Sequence, residues 1–337
     1  MAQSVGRMRG SAMTRVMVWL VMGLTACGAT LNAEAQPGPR VYRIGLLSPE
    51  SPPQGLLEEF GAELRRLGYV EGRNVSIEIR HADGKSERLP GLAEELVRHR
   101  VDVILAVNTS AVQAAKRATT TIPIVMTRVP DPVRTGLVSS LARPGGNVTG
   151  VSSMLEALSV KRLQLLKDIM PRLSRVALLW YTGNLGGAVI ATELEVASVQ
   201  VGLQLVRLPI QAPGEFTRAV EAASRDRAEA LLLIDDAVIT KHRDAIVSSA
   251  TRHRMPVASQ YRAVAEAGGL IASGPRVATM YRRTAHYVAK IFQGAQPADL
   301  PIEQPTEFEL VINLKAAKAF GLTIPPSVLL QADQVLG

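Results

Sequence analysis

The 337-residue chain contains a single cysteine, Cys27. Either of the two leader cleavages considered below therefore leaves a mature protein with no disulfide and no thiol catalyst. The signatures of several enzyme classes are missing as well. There is no HExxH zinc motif, no P-loop lysine motif, no GxGxxG after the first predicted strand and no GxSxG nucleophile elbow. The histidines His81, His99, His242, His253 and His286 fall at spacings that make no metal set. Beyond the N-terminal segment no run approaches the ~18 consecutive apolar residues of a membrane helix. A block of single-sign charge is also lacking. Net charge is +8, but Arg7, Arg9 and Arg15 lie in the leader and the other basic residues are interspersed with acidic ones, which is a solvated surface and not a nucleic-acid footprint. These absences argue against an enzyme, a cofactor or metal protein, and a nucleic-acid partner.

What is present begins with an export signal. Arg7, Arg9 and Arg15 precede an apolar core from Val16 to Ala26, too short to span a bilayer. Two cleavage patterns follow. Leu24-Thr25-Ala26-Cys27 resembles a lipoprotein signal, which would leave residues 1–26 as leader and Cys27 lipidated. Ala33-Glu34-Ala35 has the small-x-small form of ordinary cleavage, giving a leader of 1–35. Either predicts a periplasmic protein, free or lipid-anchored.

From Val41 the chain alternates short apolar runs with amphipathic stretches, and 47% hydrophobic content at this length suggests two cores. VYRIGLLS, Val75 to Ile79, VDVILAV and Ile122 to Thr127 read as strands. Between them lie helices opened by Ser51-Pro52, by Ser86 and by Asn108-Thr109-Ser110. An Asp-Pro turn at Asp131, a short Gly-led helix and a Pro-Gly-Gly crossing come next. A second copy of the rhythm has strands RVALLWY, LQLVRLPI, ALLLID and PVASQ, and helices near 161–170, 188–201, 215–225 and 239–253. Such βαβ repetition predicts an α/β protein of two doubly wound, Rossmann-like lobes on parallel sheets. The expected division is 41–150, 151–274, and a remainder 275–337 whose helix and Pro-rich crossings complete the lobes and a multi-strand hinge.

In open parallel sheets, ligands bind beyond the carboxyl ends of the strands, where helix N-termini face the crevice. The small polar residues there are Ser48, Asn108, Thr109, Ser110, Asp131, Tyr181, Asn184, Asp235, Asp236, Gln260 and Tyr261. Hydroxyls at a helix N-terminus (Thr109, Ser110) suit a carboxylate, Asp236 or Asp235 an ammonium, and Tyr181 and Tyr261 a side-chain wall. Each also has a plain structural role open to it: Asn108, Thr109 and Ser110 as helix caps, Asp131 as a turn initiator, one of the paired aspartates as a cap.

Several stretches together carry a family resemblance: LRRLGYVEGRNVSIEIR, RLPGLAEELVRHRVDVILAV, DPVRTGLVSSLARPGGNVTG, KRLQLLKDIMPRLSRVALLW and YRRTAHYVAKIFQGAQPADLPIEQPTEFELVINLKAAKAFGLTIPPSVLLQAD. In combination these resemble the substrate-binding proteins of ABC transporters of the tryptophan/tyrosine-uptake type, over about Val41 to Asp333. The resemblance implies a periplasmic-binding-protein type I fold, with two lobes joined by three crossings that close on an amino-acid-like or carboxylate ligand and offer it to a membrane permease. The alternatives are a periplasmic sensor for a signalling receptor, within this fold, and an exported α/β enzyme, against which the missing catalytic motifs argue. Thr109 stands at the family's Gly-Thr-Pro turn, Asp131 in its Asp-Pro-Val, Asn184 in its Asn-Pro-Ala-Asn-Pro loop and Asp236 in its Pro-Asp-Pro. The neighbours differ: Asn108, Ser110, Pro130, Leu185, Asp235 and Ala237 depart from the pattern, as do Ser259, Gln260 and Ser273. The departures cluster at strand ends, where ligand choice is made.

Overall fold

The computed structural model describes residues 40–337 other than Met154 and Asp235. The expected leader, Cys27 and Asp235 therefore lie outside the described residues.

Strands β1 (Tyr42–Ser48), β2 (Val75–His81), β3 (Val103–Val107), β4 (Ile124–Val129) and β5 (Val148–Ser152) form a parallel sheet in the order β2-β1-β3-β4-β5. The order reverses between β1 and β3, which opens a crevice at their carboxyl ends. Both faces are covered, so β3 is buried at every position. That explains its unbroken apolar run. The second sheet has the order β12-β11-β10-β9-β8-β6-β7. It is built from β6 (Arg175–Tyr181), β7 (Gln204–Ile210), β8 (Ala230–Ile234), β9 (Val257–Ser259), β10 (Ile271–Pro275), β11 (Phe308–Asn313) and β12 (Gln334–Leu336). Only the β10–β11 pair in it is antiparallel. These are the two doubly wound α/β layers that the alternating pattern predicts.

Local chemistry moves some boundaries. Helix α1 (Gln54–Arg66) starts after Pro53, without a side-chain cap, instead of at Ser51. Pro53 disfavours helical geometry at Pro52, which delays the helix past both prolines. The short helix expected after Asp131 is a hydrogen-bonded turn. Asp131 Oδ1 accepts from the Val133 and Arg134 amides at 2.9 Å, and Gly136 ends the turn at φ 68. The long helix expected near 239–253 is two helices, Ala237–Lys241 and Arg243–Arg252, meeting at His242.

The chain passes between the sheets three times. After Ser152 it enters α4 (Leu155–Ile169), whose Leu163, Leu166 and Ile169 pack with Val176 and Leu178 of the second sheet. After Pro275 it returns as α10 (Val277–Phe292), which lays Met280, Tyr281, Val288 and Phe292 against Ile44 and Leu46 of the first sheet and Phe60 of α1. Each such buried side chain contributes roughly 1.5–3 kcal/mol. Residues 304–307 then lead to β11. Just before that last passage, Glu303 extends the first sheet beside β5: its amide donates to the Gly150 carbonyl at 3.0 Å and its carbonyl accepts from Ser152 at 2.9 Å. Gly150 adopts φ 131, and a Cβ there would lie 2.3 Å from the Met126 carbonyl oxygen, so only glycine allows β4 and β5 to approach.

Candidate functional site: the interlobe cleft

The carboxyl ends of the two sheets face one another across a cleft that is closed by side-chain contacts. The Ser110 hydroxyl, at the start of α3 (Thr109–Ala118), donates to the Gly183 carbonyl at 2.6 Å. Tyr181, the last residue of β6, donates its hydroxyl to the Gly84 carbonyl at 2.7 Å. Lys241 reaches across to Glu50, Nζ to Oε2 2.8 Å, and Arg134 pairs with Glu193. Arg128 Nε donates to the Tyr261 hydroxyl at 2.8 Å, with the guanidinium carbon 4.4 Å from the ring centroid.

Within the cleft lies a cavity of about 260 Å³, just below the ~300–1,000 Å³ usual for small-molecule sites. Ser48, Val107, Arg128 and Tyr281 line it from one lobe, and Thr240 and Lys241 from the other. Its charged lining is Glu50, Arg128, Lys241 and Arg243, of which Arg128 is a buried cation, only 9% exposed. Burial opposes the charge on this guanidinium, but Tyr261, Tyr281 and Asp236 together outweigh that effect and keep it protonated. Burial also pushes the Tyr281 and Tyr181 hydroxyls up, so both are donors at neutral pH.

The residues singled out from the sequence sort into groups. Ser48 is buried at the end of β1 and lines the cavity. Asn108, at φ 76, caps α3 by accepting from the Ala111 amide at 3.1 Å, and Asn184 caps α5 (Leu185–Gln200) by accepting from Gly186 at 3.2 Å. Asp236 caps Ala237–Lys241 through Ile239 at 2.8 Å while buried to 3% exposure. Ser110, Tyr181 and Tyr261 hold the lobes together. Thr109 is buried, with a hydroxyl that has no hydrogen-bond partner among the described residues, facing Gly186 and Pro130. Gln260 is buried beside Tyr261. Asp131 is half-buried and caps its own turn.

Sequence reasoning passed over Arg128, Glu50, Lys241 and Tyr281. Arg128 did carry a signal: it is the one charged residue in the otherwise uncharged run of β4, IVMTRV, and a charge at a buried strand position requires a reason. Glu50 and Lys241 lie on exposed-looking segments and meet only through the tertiary fold.

The sequence profile described as ABC transporter substrate binding protein matches residues 54–336. The chain belongs to that family. A curated relative, a tyrosine-binding protein of Clostridioides difficile, is 26% identical over 259 residues, 77% of this chain and 74% of the relative. Among solved structures, the ABC domain in complex with L-Trp from Streptococcus pneumonia superimposes with a TM-score of 0.82 at 26% identity, covering 88% of this chain and all of that one. A conserved domain protein from Vibrio cholerae matches equally, TM-score 0.82 at 27% identity over 88% and 100% of the two chains. A ligand-free, open substrate-binding protein from Clostridium difficile, 25% identical over 88% and 99%, reaches only 0.63. At nearly the same identity, the arrangement of this substrate-binding protein is nearer the liganded relative than the open one, in keeping with the interlobe contacts above.

Proposed function

We propose that this ABC substrate-binding protein captures a small amino-acid-like or carboxylate solute in the interlobe cleft and delivers it, in the closed form, to a membrane permease. The observation that supports this most is the cavity itself, lined at the carboxyl ends of both sheets by side chains of both lobes. A ligand that touches both lobes stabilises the closed form by its differential contacts, and the closed form is what a permease can distinguish. The tyrosine- and tryptophan-binding relatives favour an amino-acid-like solute. The protein is exported to the periplasm, by cleavage after residue 35 or, with Cys27 lipidated, after residue 26; mass spectrometry of the mature N-terminus from membrane and periplasmic fractions separates these. Ligand binding is tested by thermal shift against amino acids, aromatic acids and small carboxylates. A solute that binds only the folded state stabilises it by RT ln(1 + [L]/Kd), about 2.7 kcal/mol at 100 times Kd. Scattering that shows no compaction with a bound solute would count against closure as the signal.

A further inference from the structure

Arg128 is a buried cation that the protein leaves partly unmatched. Its Nε donates to Tyr261, but the two terminal amino groups find no acceptor among the described residues, and no Asp or Glu among them forms an ion pair with it. Glu50, the carboxylate that lines the same cavity, is taken by Lys241. Asp236 is felt electrostatically, while its Oδ1 accepts from the Ile239 amide. An arginine cannot shed its proton to escape burial, so an unmatched guanidinium calls for an anion.

The backbone is shaped for this residue. β4 and β5 lose register between Met126 and Val129, and Arg128 sits at φ 58, a conformation disfavoured for any residue with a side chain. The outcome is a guanidinium that lines the cavity. Tyr261 fixes the fork from one side through Nε and its ring face, and the four remaining N–H groups are oriented in one plane. That geometry matches the two oxygens of a carboxylate. Val107 and Tyr281 supply apolar walls, and Ser48 a hydroxyl, for a short organic body.

We propose that Arg128 is the anchor of the ligand carboxylate, and that the solute of this cleft is a small organic carboxylic acid held by paired hydrogen bonds from the two terminal amino groups. This rests on the reading of the cleft as the solute site. It moves the carboxylate anchor away from Ser110, whose hydroxyl already donates to Gly183.

The experiment compares L-tyrosine, phenylacetate and benzoate with L-tyrosinamide, phenylacetamide and benzamide by thermal shift and calorimetry on the mature protein. D-Ribose and adenosine serve as probes without an acid. At least one acid is expected to bind about tenfold or more tighter than its amide, the range for a hydrogen bond to a charged group. Arg128→Gln should erase that preference, and Arg128→Lys should keep part of it because charge survives without the fork. The wild-type acid-to-amide ratio needs no variant and stands even if Arg128→Gln fails to fold. Equal binding of acid and amide overturns the assignment, as does an Arg128→Gln protein that holds the acid within about twofold of wild type, well inside the loss expected for such a contact. If only ribose or adenosine binds, Arg128 loses its role while the cleft keeps its own. If no probe of any kind binds, both readings fall.

Discussion

The Tyr181 hydroxyl at the end of β6 donates to the Gly84 carbonyl on the opposite lobe at 2.7 Å. The bond is buried and exists only when the lobes are together. Tyr181→Phe should leave each lobe folded and weaken closure by about 0.5–1.5 kcal/mol, the usual net worth of one hydrogen bond. Small-angle scattering should report a larger radius of gyration, and ligand affinity should fall by the same factor as the closed population.

Gly186 offers a steric test of the same closure. A Cβ at this position would stand 2.8 Å from the Thr109 hydroxyl and 3.0 Å from the Pro130 ring, both on the other lobe. Gly186→Ala is favourable within a helix taken alone. We expect unfolding of the open protein to be unchanged or slightly later in temperature, but affinity to drop. A variant that binds as wild type does would show that the lobes shift enough to accept the methyl group.

Lys241 and Glu50 supply an electrostatic test. The Glu50 side chain is 4% exposed and the Lys241 side chain 54%, so solvent screens much of the attraction. Lys241→Met should cost about 1 kcal/mol, chiefly by leaving a buried carboxylate without its cation. Adding Glu50→Gln should recover part of that loss, and the double-mutant cycle measures the coupling.

Acid stability should depend on the crossing at Glu303. Burial raises this carboxyl, but two hydrogen bonds from Arg283, at 2.6 and 2.7 Å, more than reverse the effect and leave it below the ordinary carboxylate range. A folded value below the unfolded one means that the contribution is complete above the unfolded carboxylate value, about 4.3, and is lost as pH falls through the depressed folded value. Glu303→Gln should therefore lower stability at pH 7 and flatten its acid limb below pH ~4.5, as read from urea midpoints across pH.

The elements were legible in the sequence wherever one physical signal acted alone. Continuous apolar runs marked β3 and β8 because both faces of a parallel sheet are covered, and Asn108 marked a helix start because its side chain accepts from the first turn, whereas the helix expected from 188 begins at Leu185 behind the Asn184 cap. Legibility failed where signals competed, as at Pro52-Pro53, or where the partner came from far along the chain. The cleft's location followed from strand ends, but its chemistry did not. Arg128 meets Tyr261 across 133 residues and Lys241 meets Glu50 across 191, and neither pairing leaves a local pattern. The sequence favoured small polar residues at helix starts, which turn out to be mainly capping or closing groups; of those described, Ser48 lines the cavity.

The return of α10 to the first sheet also bears on how the chain is made. Ile44, Leu46 and Phe60 are covered by Met280, Tyr281 and Val288, which leave the ribosome only after nearly the whole second lobe has been synthesised. Until then, among the described residues, that face of the first sheet has only α1, through Phe60 and Leu64, to cover it, and an N-terminal fragment ending at Ser153 should expose apolar surface and bind chaperones. The segment that joins the lobes is thus also the one that completes the core of the first, and the first lobe is expected to reach its full stability only when residues 277–292 have been added.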